Sequence, residues 1–121
     1  MAKAVGVGGV FLKARDPKSL SAWYATHFGI NPGGGTEVIF DGPESTGMTV
    51  VSHFPQDTAY FGEGGQGFMI NLRVDDLDQL LTQLAAAGVR IDPRREEYDY
   101  GRFAWIWDLE GNRVELWQPL P

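Results

Sequence analysis

A short alternating stretch, VFLKARD at residues 10–16, has a counterpart later in the chain, INLRVDD at residues 70–76. Both stretches alternate aliphatic residues with other side chains, carry a cation at the fourth position and end on aspartate. Alternation with a period of two is typical of a β-strand with one buried face. The repeat therefore predicts two modules that begin with the same kind of strand.

A helical pattern follows each of these strands. In the first copy, the Asp-Pro pair at residues 16–17 is typical of an N-cap followed by a first-turn proline, and the pattern ends at Gly29. In the second copy, we expect Asp75 or Asp76 to cap a helix that Gly88 ends. This second helix carries an apolar stripe at helical spacing, formed by Leu77, Leu80, Leu81 and Leu84.

Each module is expected to continue through three strands. Turn sequences that contain Asp and Gly, at residues 40–44 and 107–112, precede the last strand of each module. We therefore predict an α+β fold of two tandem βαβββ modules, at about residues 5–58 and 68–119, with a glycine-rich linker at about residues 61–67. A plain ferredoxin-like sandwich is the alternative, but it does not predict the repeat.

The composition limits the class of protein. The chain has 121 residues, no cysteine, two histidines and a formal net charge of −6. This length suits one compact domain, and the lack of cysteine excludes disulfides and Cys-type zinc sites. The acidic balance argues against nucleic acid or an anionic membrane as a partner. Because no signal peptide or long apolar run is visible, we expect a cytoplasmic protein.

Four segments are similar to the vicinal oxygen chelate superfamily, which includes glyoxalase I, bleomycin resistance proteins and extradiol dioxygenases. They lie at residues 9–17, 23–29, 69–77 and 107–117. The last segment, WDLEGNRVELW, is the most specific, because it is close to the Asp-Pro-Asp-Gly-Asn…Glu-Leu ending that recurs in the superfamily. The resemblance implies a glyoxalase/bleomycin resistance-like fold of two βαβββ modules. It also implies a homodimer in which strands of two modules enclose each ligand cup.

Members of this superfamily that bind a metal use two ligands from each module. The resemblance places the four positions at Gly9, near Val51, at Met69 and at Glu115. Glycine has no side-chain donor, and a thioether is a soft ligand unsuited to the oxygen-rich sites of Mg, Mn, Fe(II) or Ni. Only Glu115 matches a ligand type. We therefore predict no cofactor, and the residues disfavour a divalent metal.

Strand parity predicts which side chains line the cup. Aliphatic residues of one parity, such as Val10 and Leu12, are expected to pack against the helices and leave the other face for a ligand. The expected ligand-binding residues on that face are Phe11, Lys13, Asn71, Arg73, Trp105, Trp107 and Trp117. Flat apolar walls with a few polar groups are typical of a site for a small planar or amphipathic molecule. The pattern leaves open whether the ligand is an anion or a cation.

The stretch at residues 94–102 is polar, mixed in charge and aromatic. One interpretation is an exposed loop with surface ion pairs. The other is a lid or rim over the cup, from which Tyr98, Tyr100 and Arg102 reach the ligand.

Three functions remain open. The first is a small-molecule-binding protein of the bleomycin resistance type, with a degenerate metal site and an aromatic cup. The second is a metal-dependent glyoxalase-like lyase or dioxygenase that uses His53 and Glu115 as catalytic or metal-binding candidates; His53 shares the parity of Val51 and would face Glu115. A purely structural role is the alternative for both residues. The third is a non-enzymatic regulatory or interaction module, which only the acidic second half supports.

Overall fold

The computed structural model describes residues 1–41 and 47–120. The elements in chain order are β1 (Ala4–Ala14), α1 (Pro17–Phe28), β2 (Asn31–Pro32), β3 (Glu37–Phe40), β4 (Thr49–Pro55), β5 (Phe68–Val74), α2 (Leu77–Ala86), β6 (Ile91–Tyr98), β7 (Gly101–Trp107) and β8 (Arg113–Pro119). Two series of strand, helix and three strands confirm the predicted α+β fold of tandem βαβββ modules. Residues 42–44 of the first predicted turn lie outside the described residues.

The chain divides into two compact units: residues 8–68, and residues 1–7 together with the residues from 69 onward. In the first unit the strand order is β2-β3-β4-β1, with β1 and β4 parallel and the other neighbours antiparallel. In the second unit the order is β5-β8-β7-β6, with β5 and β8 as the parallel pair. Each unit therefore has the same mixed four-stranded sheet, as a repeated module requires.

Both helices begin at an aspartate N-cap. Asp16 accepts hydrogen bonds from the backbone nitrogen of Ser19 at 3.1 Å and from its hydroxyl at 2.8 Å. Asp76 accepts one from the backbone nitrogen of Gln79 at 3.0 Å. The first helix ends at Gly29, whose φ of 65° lies in the left-handed region that glycine adopts without strain. Neither helix in the described chain is long and apolar enough to span a bilayer.

The leucine stripe of α2 covers one face of the sheet in the second unit. This packing confirms the predicted stripe. Every second side chain of strands β5, β7 and β8 takes part in it. The buried core consists of Val74, Leu77, Ala104 and Leu116, with Leu72, Leu80, Leu81, Leu84, Ile106 and Val114 packed against it. Because strand side chains alternate, the other parity of these strands lies on the opposite face.

Residues 1–7 include the start of strand β1. Hydrogen bonds hold them to the rest of the second unit. The backbone nitrogen of Ala2 donates to Gln83 Oε1 at 2.8 Å, and Gln83 Nε2 donates back to the Ala2 carbonyl at 3.1 Å. The backbone nitrogen of Lys3 donates to Asp75 Oδ1 at 2.8 Å. This hydrogen bond lowers the pKa of the Asp75 carboxyl. The beginning of the described chain therefore forms an integral part of the second unit.

Candidate functional site

Side chains of β7 and β8 that lie opposite α2 form a largely aromatic surface in the second unit. The ring of Phe103 stacks on Trp117, with 6.1 Å between ring centres and 3° between planes. Asn71 and Arg73 on β5 pair in register with Glu115 and Trp117 on β8. We call this surface the aromatic face; it comprises Phe103, Trp105, Trp107, Arg113, Glu115 and Trp117 with Asn71 and Arg73. Five of the seven residues predicted to line the cup thus lie together here.

Glu115 lies in the buried part of the aromatic face and is only 2% exposed. Its Oε2 accepts a hydrogen bond from Asn71 Nδ2 at 2.5 Å, and its Oε1 accepts one from Trp105 Nε1 at 3.1 Å. Asn71 and Trp105 are also buried. A buried carboxylate is costly unless hydrogen bonds replace its water. Both oxygens of Glu115 therefore take part in a hydrogen-bond network inside the protein.

Arginine side chains lie against the rings of Trp105 and Trp107 on the aromatic face. The guanidinium carbon of Arg113 lies 5.0 Å from the ring centre of Trp105 and 5.9 Å from that of Trp107. The guanidinium carbon of Arg90 lies 3.8 Å from the Trp107 ring centre. Arg113 also forms an ion pair of 2.9 Å with Asp92, and its hydrogen bond lowers the pKa of the Asp92 carboxyl. The chain's own cations thus occupy cation–π positions at Trp105 and Trp107.

Residues 94–102 form most of a β-hairpin, so the interpretation as a loop is wrong, whereas the surface ion pairs expected there are present. The role of this stretch as a lid or rim stays a prediction. Strand β6 runs to Tyr98, a turn follows at residues 99–100, and β7 begins at Gly101. This stretch shows no apolar alternation because charged side chains occupy both faces of β6. Ion pairs on these faces join Arg94 to Glu96, Arg95 to Asp78 and Arg102 to Glu97.

The three residues expected to reach the ligand from this stretch lie on two different faces. Tyr98 and Tyr100 stack with 5.3 Å between ring centres and contact Phe103 edge-on at 5.9 and 6.0 Å. Arg102 instead lies on the α2 side, where its Nη1 is 3.5 Å from Asp78 Oδ2. Alternation along β7 separates Arg102 from Phe103. The two tyrosines therefore extend the aromatic face, and the expectation for Arg102 is wrong.

A second aromatic group surrounds Phe11 in the first unit. The Phe11 ring centre lies 5.3 Å from that of Phe54 and 6.3 Å from that of Tyr60. Lys13 Nζ lies 5.7 Å from the ring centre of Phe61. The sequence pattern singled out only Phe11 and Lys13. Phe54 could have been found from its position on β4, because alternation places it on the same face as Ser52. Phe61 is buried although it lies at the start of the predicted linker.

His53 lies on the face of β4 that packs against α1. It pairs in register with Leu12, its Nδ1 is 2.7 Å from Ser21 Oγ, and its ring stacks on Tyr24 with 5.7 Å between centres. The expectation that His53 would lie on the cup face is wrong. If a strand is assigned one residue out of register, every one of its side chains is assigned to the wrong face, and this happened for β4. Burial lowers the pKa of His53, so the ring is neutral at pH 7.

Ser52 is the counterpart of Glu115 in the first module. Strand pairing sets Asn71 beside Glu115 in the second module and Phe11 beside Ser52 in the first. Phe11 and Asn71 hold the same position in the repeat. The metal-ligand position expected near Val51 therefore falls on Ser52, whose neutral hydroxyl is a poor ligand for a divalent cation.

Glu37 is a carboxylate on the same face as Ser52 that the sequence pattern did not single out. The two residues pair in register, and Ser52 Oγ donates to Glu37 Oε2 at 3.4 Å. Glu37 Oε1 accepts a hydrogen bond from the backbone nitrogen of Gly34 at 3.2 Å. Glu37 could have been found from the alternation of strand β3, because Glu37 and the buried Val38 face opposite sides of the sheet. A half-buried carboxylate of this kind can accept a hydrogen bond or a proton from a ligand.

The four positions that the resemblance assigns to metal ligands do not offer a divalent metal site. At Gly9 a Cβ would lie 2.6 Å from the carbonyl oxygen of Val50, so no side chain fits. Met69 supplies a buried thioether, and both oxygens of Glu115 accept internal hydrogen bonds. In the described ranges, no three His, Cys, Asp or Glu side chains come together. The donor set therefore does not fit the metal of the superfamily.

Three polar atoms of the aromatic face are buried and have no hydrogen-bond partner among the described residues. They are Asn71 Oδ1, Arg73 Nε and Trp117 Nε1; in the first unit, His53 Nε2 is in the same state. Buried polar atoms in proteins nearly always have a partner. These atoms are therefore unsatisfied hydrogen-bonding groups in the interior of the described protein.

Solved structures similar to this chain include methylmalonyl-CoA epimerases and a glyoxalase. The epimerase from Mycobacterium tuberculosis has a TM-score of 0.69 and 24% identity, covering 98% of this chain and 90% of that one. The Streptomyces coelicolor epimerase has a TM-score of 0.73 and 16% identity, covering 98% and 100%. The Mn(II)-bound glyoxalase from Novosphingobium aromaticivorans has a TM-score of 0.65 and 16% identity, covering 98% and 40%. At these identities the similarity shows the fold alone. A search of the curated proteins finds no match to the sequence.

The sequence itself matches a family across both modules. The matching family is the Glyoxalase/Bleomycin resistance protein/Dioxygenase superfamily, over residues 7–116. This range runs from β1 into β8 and confirms the resemblance to the vicinal oxygen chelate superfamily. The chain therefore belongs to the Glyoxalase/Bleomycin resistance protein/Dioxygenase superfamily.

Proposed function

We propose that this chain binds a small organic molecule on the aromatic face without the help of a metal ion. The observation that carries the proposal is the state of Glu115. This residue is the one ligand-type side chain at the four metal positions, and its oxygens accept hydrogen bonds from Asn71 and Trp105. Around it, aromatic rings and a few polar atoms form the mixture typical of small-molecule sites.

The metal-dependent lyase or dioxygenase has less support. It requires His53 as a ligand or as an acid–base group beside the bound molecule. His53 instead contacts Ser21 and Tyr24 of α1. Glu37 of β3 is a better candidate for acid–base chemistry, since it pairs in register with Ser52 of β4 and lies on the same face of the sheet. Catalysis on the same scaffold would then proceed by proton transfer to and from a carboxylate.

A metal-binding measurement and a ligand screen together test the proposal. We would treat the purified protein with EDTA, then screen small aromatic and amphipathic molecules by ligand-observed NMR and thermal shift, with and without added Mn²⁺ or Ni²⁺. The expected hits bind equally well in EDTA. Trp107→Ala should weaken them, because Trp107 is the half-exposed tryptophan of the aromatic face. Leu109→Ala is the control, since Leu109 is fully exposed in the turn after β7.

Two results would overturn the proposal. One is binding that disappears in EDTA and returns with Mn²⁺ or Ni²⁺. The other is a set of hits that Trp107→Ala and Leu109→Ala affect to the same degree.

We also propose that two copies of the chain associate as a homodimer. The support is an exposed aromatic cluster on α1, where Trp23 is 49% and Phe28 is 63% exposed. Exposed apolar clusters commonly mark protein–protein contacts. Analytical ultracentrifugation should detect a dimer that Trp23→Ser with Phe28→Ser converts to a monomer. A wild-type protein that sediments as a monomer at every concentration would show that the proposal is wrong.

A further inference from the structure

The two ends of the aromatic face differ in what lies against their rings. At the tryptophan end, the guanidinium carbon of Arg113 lies 5.0 Å from the ring centre of Trp105. At the other end, which we call the tyrosine end, the rings of Tyr98, Tyr100 and Phe103 contact one another. No lysine or arginine of the described residues lies over these three rings. Because the faces of an aromatic ring are negative, the tyrosine end can still attract a cation from outside the chain.

The tyrosine end is open to solvent, unlike the buried centre of the aromatic face. Tyr98 is 45% exposed and Tyr100 is 60% exposed. Their rings are nearly parallel, with 4° between planes and 5.3 Å between centres. Tyr98 therefore covers one face of Tyr100, and the exposure of Tyr100 leaves its other face in contact with water. A molecule in solution can reach this open face without any movement of the core.

Contacts within the protein hold the rings of the tyrosine end in place. The hydroxyl of Tyr98 donates to Glu96 Oε1 at 2.6 Å. The ring centre of Phe103 lies 5.9 Å from that of Tyr98 and 6.0 Å from that of Tyr100, at angles of 66° and 69° between planes. Trp117 in turn stacks on Phe103 with 3° between planes. Rings in two steeply inclined orientations are thus in place before a ligand arrives, which lowers the entropy cost of binding.

Asp99 supplies a negative charge at the tyrosine end. It lies between the two tyrosines in the turn of the hairpin, is exposed, and forms no ion pair with the described residues. The three arginines of residues 94–102 each have a carboxylate partner: Arg94 pairs with Glu96, Arg95 with Asp78 and Arg102 with Glu97. These paired charges cancel, so Asp99 leaves one uncompensated negative charge beside the rings.

We propose that the tyrosine end binds the cationic group of a small organic molecule, and that this group is a quaternary ammonium ion. Its alkyl groups contact the open face of Tyr100, and the carboxylate of Asp99 attracts its charge. A primary ammonium ion is strongly hydrated, so it loses more on leaving water than an alkylated one does. The inference rests on the proposed metal-independent binding, and it adds the charge of the ligand and the end of the aromatic face that holds this charge.

Three probes of similar shape and different charge test the inference. Choline carries the quaternary ammonium ion, neohexyl alcohol is its neutral carbon isostere, and tert-butylacetic acid is an anion at neutral pH. Ligand-observed NMR titrations in EDTA would measure the Kd of each probe. A cation–π contact at an exposed site contributes about 1 kcal/mol, which is roughly fivefold in affinity. We therefore expect choline to bind about fivefold more tightly than the alcohol, and the acid to bind most weakly.

Substitutions assign the binding to the named side chains. Tyr100→Leu removes the open ring, Asp99→Asn removes the uncompensated charge, and each should weaken choline binding by about two- to fivefold. Leu109→Ala is the control for the ring, because Leu109 is exposed in the turn after β7. Asp57→Asn is the control for the charge, because Asp57 is exposed in the turn after β4 of the other unit. Thermal unfolding without ligand identifies a variant that fails to fold, in which case the other variant decides.

The outcomes separate this inference from the proposed function. If choline shows no saturable binding, or binds no more tightly than the alcohol or the acid, the ammonium assignment falls, while other molecules that bind in EDTA still support metal-free binding. If choline binds equally well to wild type, Tyr100→Leu and Asp99→Asn, the assigned contacts are wrong. If neither these probes nor the wider screen yields a molecule that binds in EDTA, both the inference and the proposed function fail.

Discussion

The ion pair between Arg113 and Asp92 offers a direct test of the energetics of the aromatic face. Its side chains are 8% and 18% exposed, and the two charges lie 2.9 Å apart. Asp92→Asn keeps the shape of the side chain and removes its charge. Removing one member of a buried pair costs about 3–5 kcal/mol, because the remaining charge is left in a poorly solvated place. Since Asp92 retains some contact with water, we expect the low end, about 3 kcal/mol.

This loss has a measurable size in a thermal melt. An unfolding entropy of about 2.1 cal/mol/K per residue over 121 residues converts about 3 kcal/mol into a Tm decrease of about 12 °C. Circular dichroism would measure Tm for wild type and Asp92→Asn. Asp99→Asn is the matched control, because Asp99 is exposed in the turn of the same hairpin, where asparagine is equally well accepted. If the two variants melt within about 2 °C of each other, the ion pair contributes little and the argument fails.

The same pair predicts how stability depends on pH. The hydrogen bond from Arg113 holds the pKa of Asp92 below its unfolded value of about 3.9. Its contribution is therefore fully present above about pH 4 and is lost as the pH falls through the folded pKa. The difference in unfolding free energy between wild type and Asp92→Asn should shrink on acidification from pH 7 to pH 3. A difference that stays constant over this range would contradict the assignment.

Three further predictions follow from the first unit. Gly9→Ala should destabilise the protein by about 1–3 kcal/mol, because its Cβ would lie 2.6 Å from the Val50 carbonyl oxygen; Gly67→Ala, with open space around it, should leave the urea midpoint unchanged. Ser21→Ala should cost about 1–3 kcal/mol by removing the partner of His53 Nδ1, and an unchanged midpoint would show that this hydrogen bond is dispensable. Because burial lowers the pKa of His53 in the folded state, the unfolded state binds its proton more readily and stability should fall below about pH 6.5. His53→Gln should flatten that slope, and an identical slope in this variant would assign the effect to other groups.

Strand parity was predictable in the second module because its strands alternate clearly. Ala104 and Ile106 are aliphatic and small enough to pack on the leucines of α2, which assigns Trp105 and Trp107 to the other face. The same argument failed for β4, whose sequence TVVSHFP carries apolar residues on both parities. Only the pairing of β4 with its neighbours determines which parity meets α1. His53 was therefore assigned to the wrong face.

The polar interactions of the aromatic face were outside the reach of local sequence patterns. Glu115 was singled out by the resemblance, but its contact with Asn71 depends on the register of two parallel strands that are distant in sequence. The hairpin at residues 94–102 was missed because ion pairs, rather than apolar alternation, cover both faces of β6. The sequence thus identified the candidate residues individually. Their hydrogen-bond and ion-pair partners became known only from the fold.

The placement of residues 1–7 has a consequence for synthesis on the ribosome. Ala2 and Lys3 bond to Gln83 and Asp75, which are made much later. At about 5–20 residues per second, these first residues wait about 4–15 s for their partners. During that interval residues 8–68 can fold, whereas the second unit must join two pieces of chain separated by the entire first unit. Joining them carries the entropy cost of a long loop, so we expect the second unit to be the later of the two to complete its folding during translation.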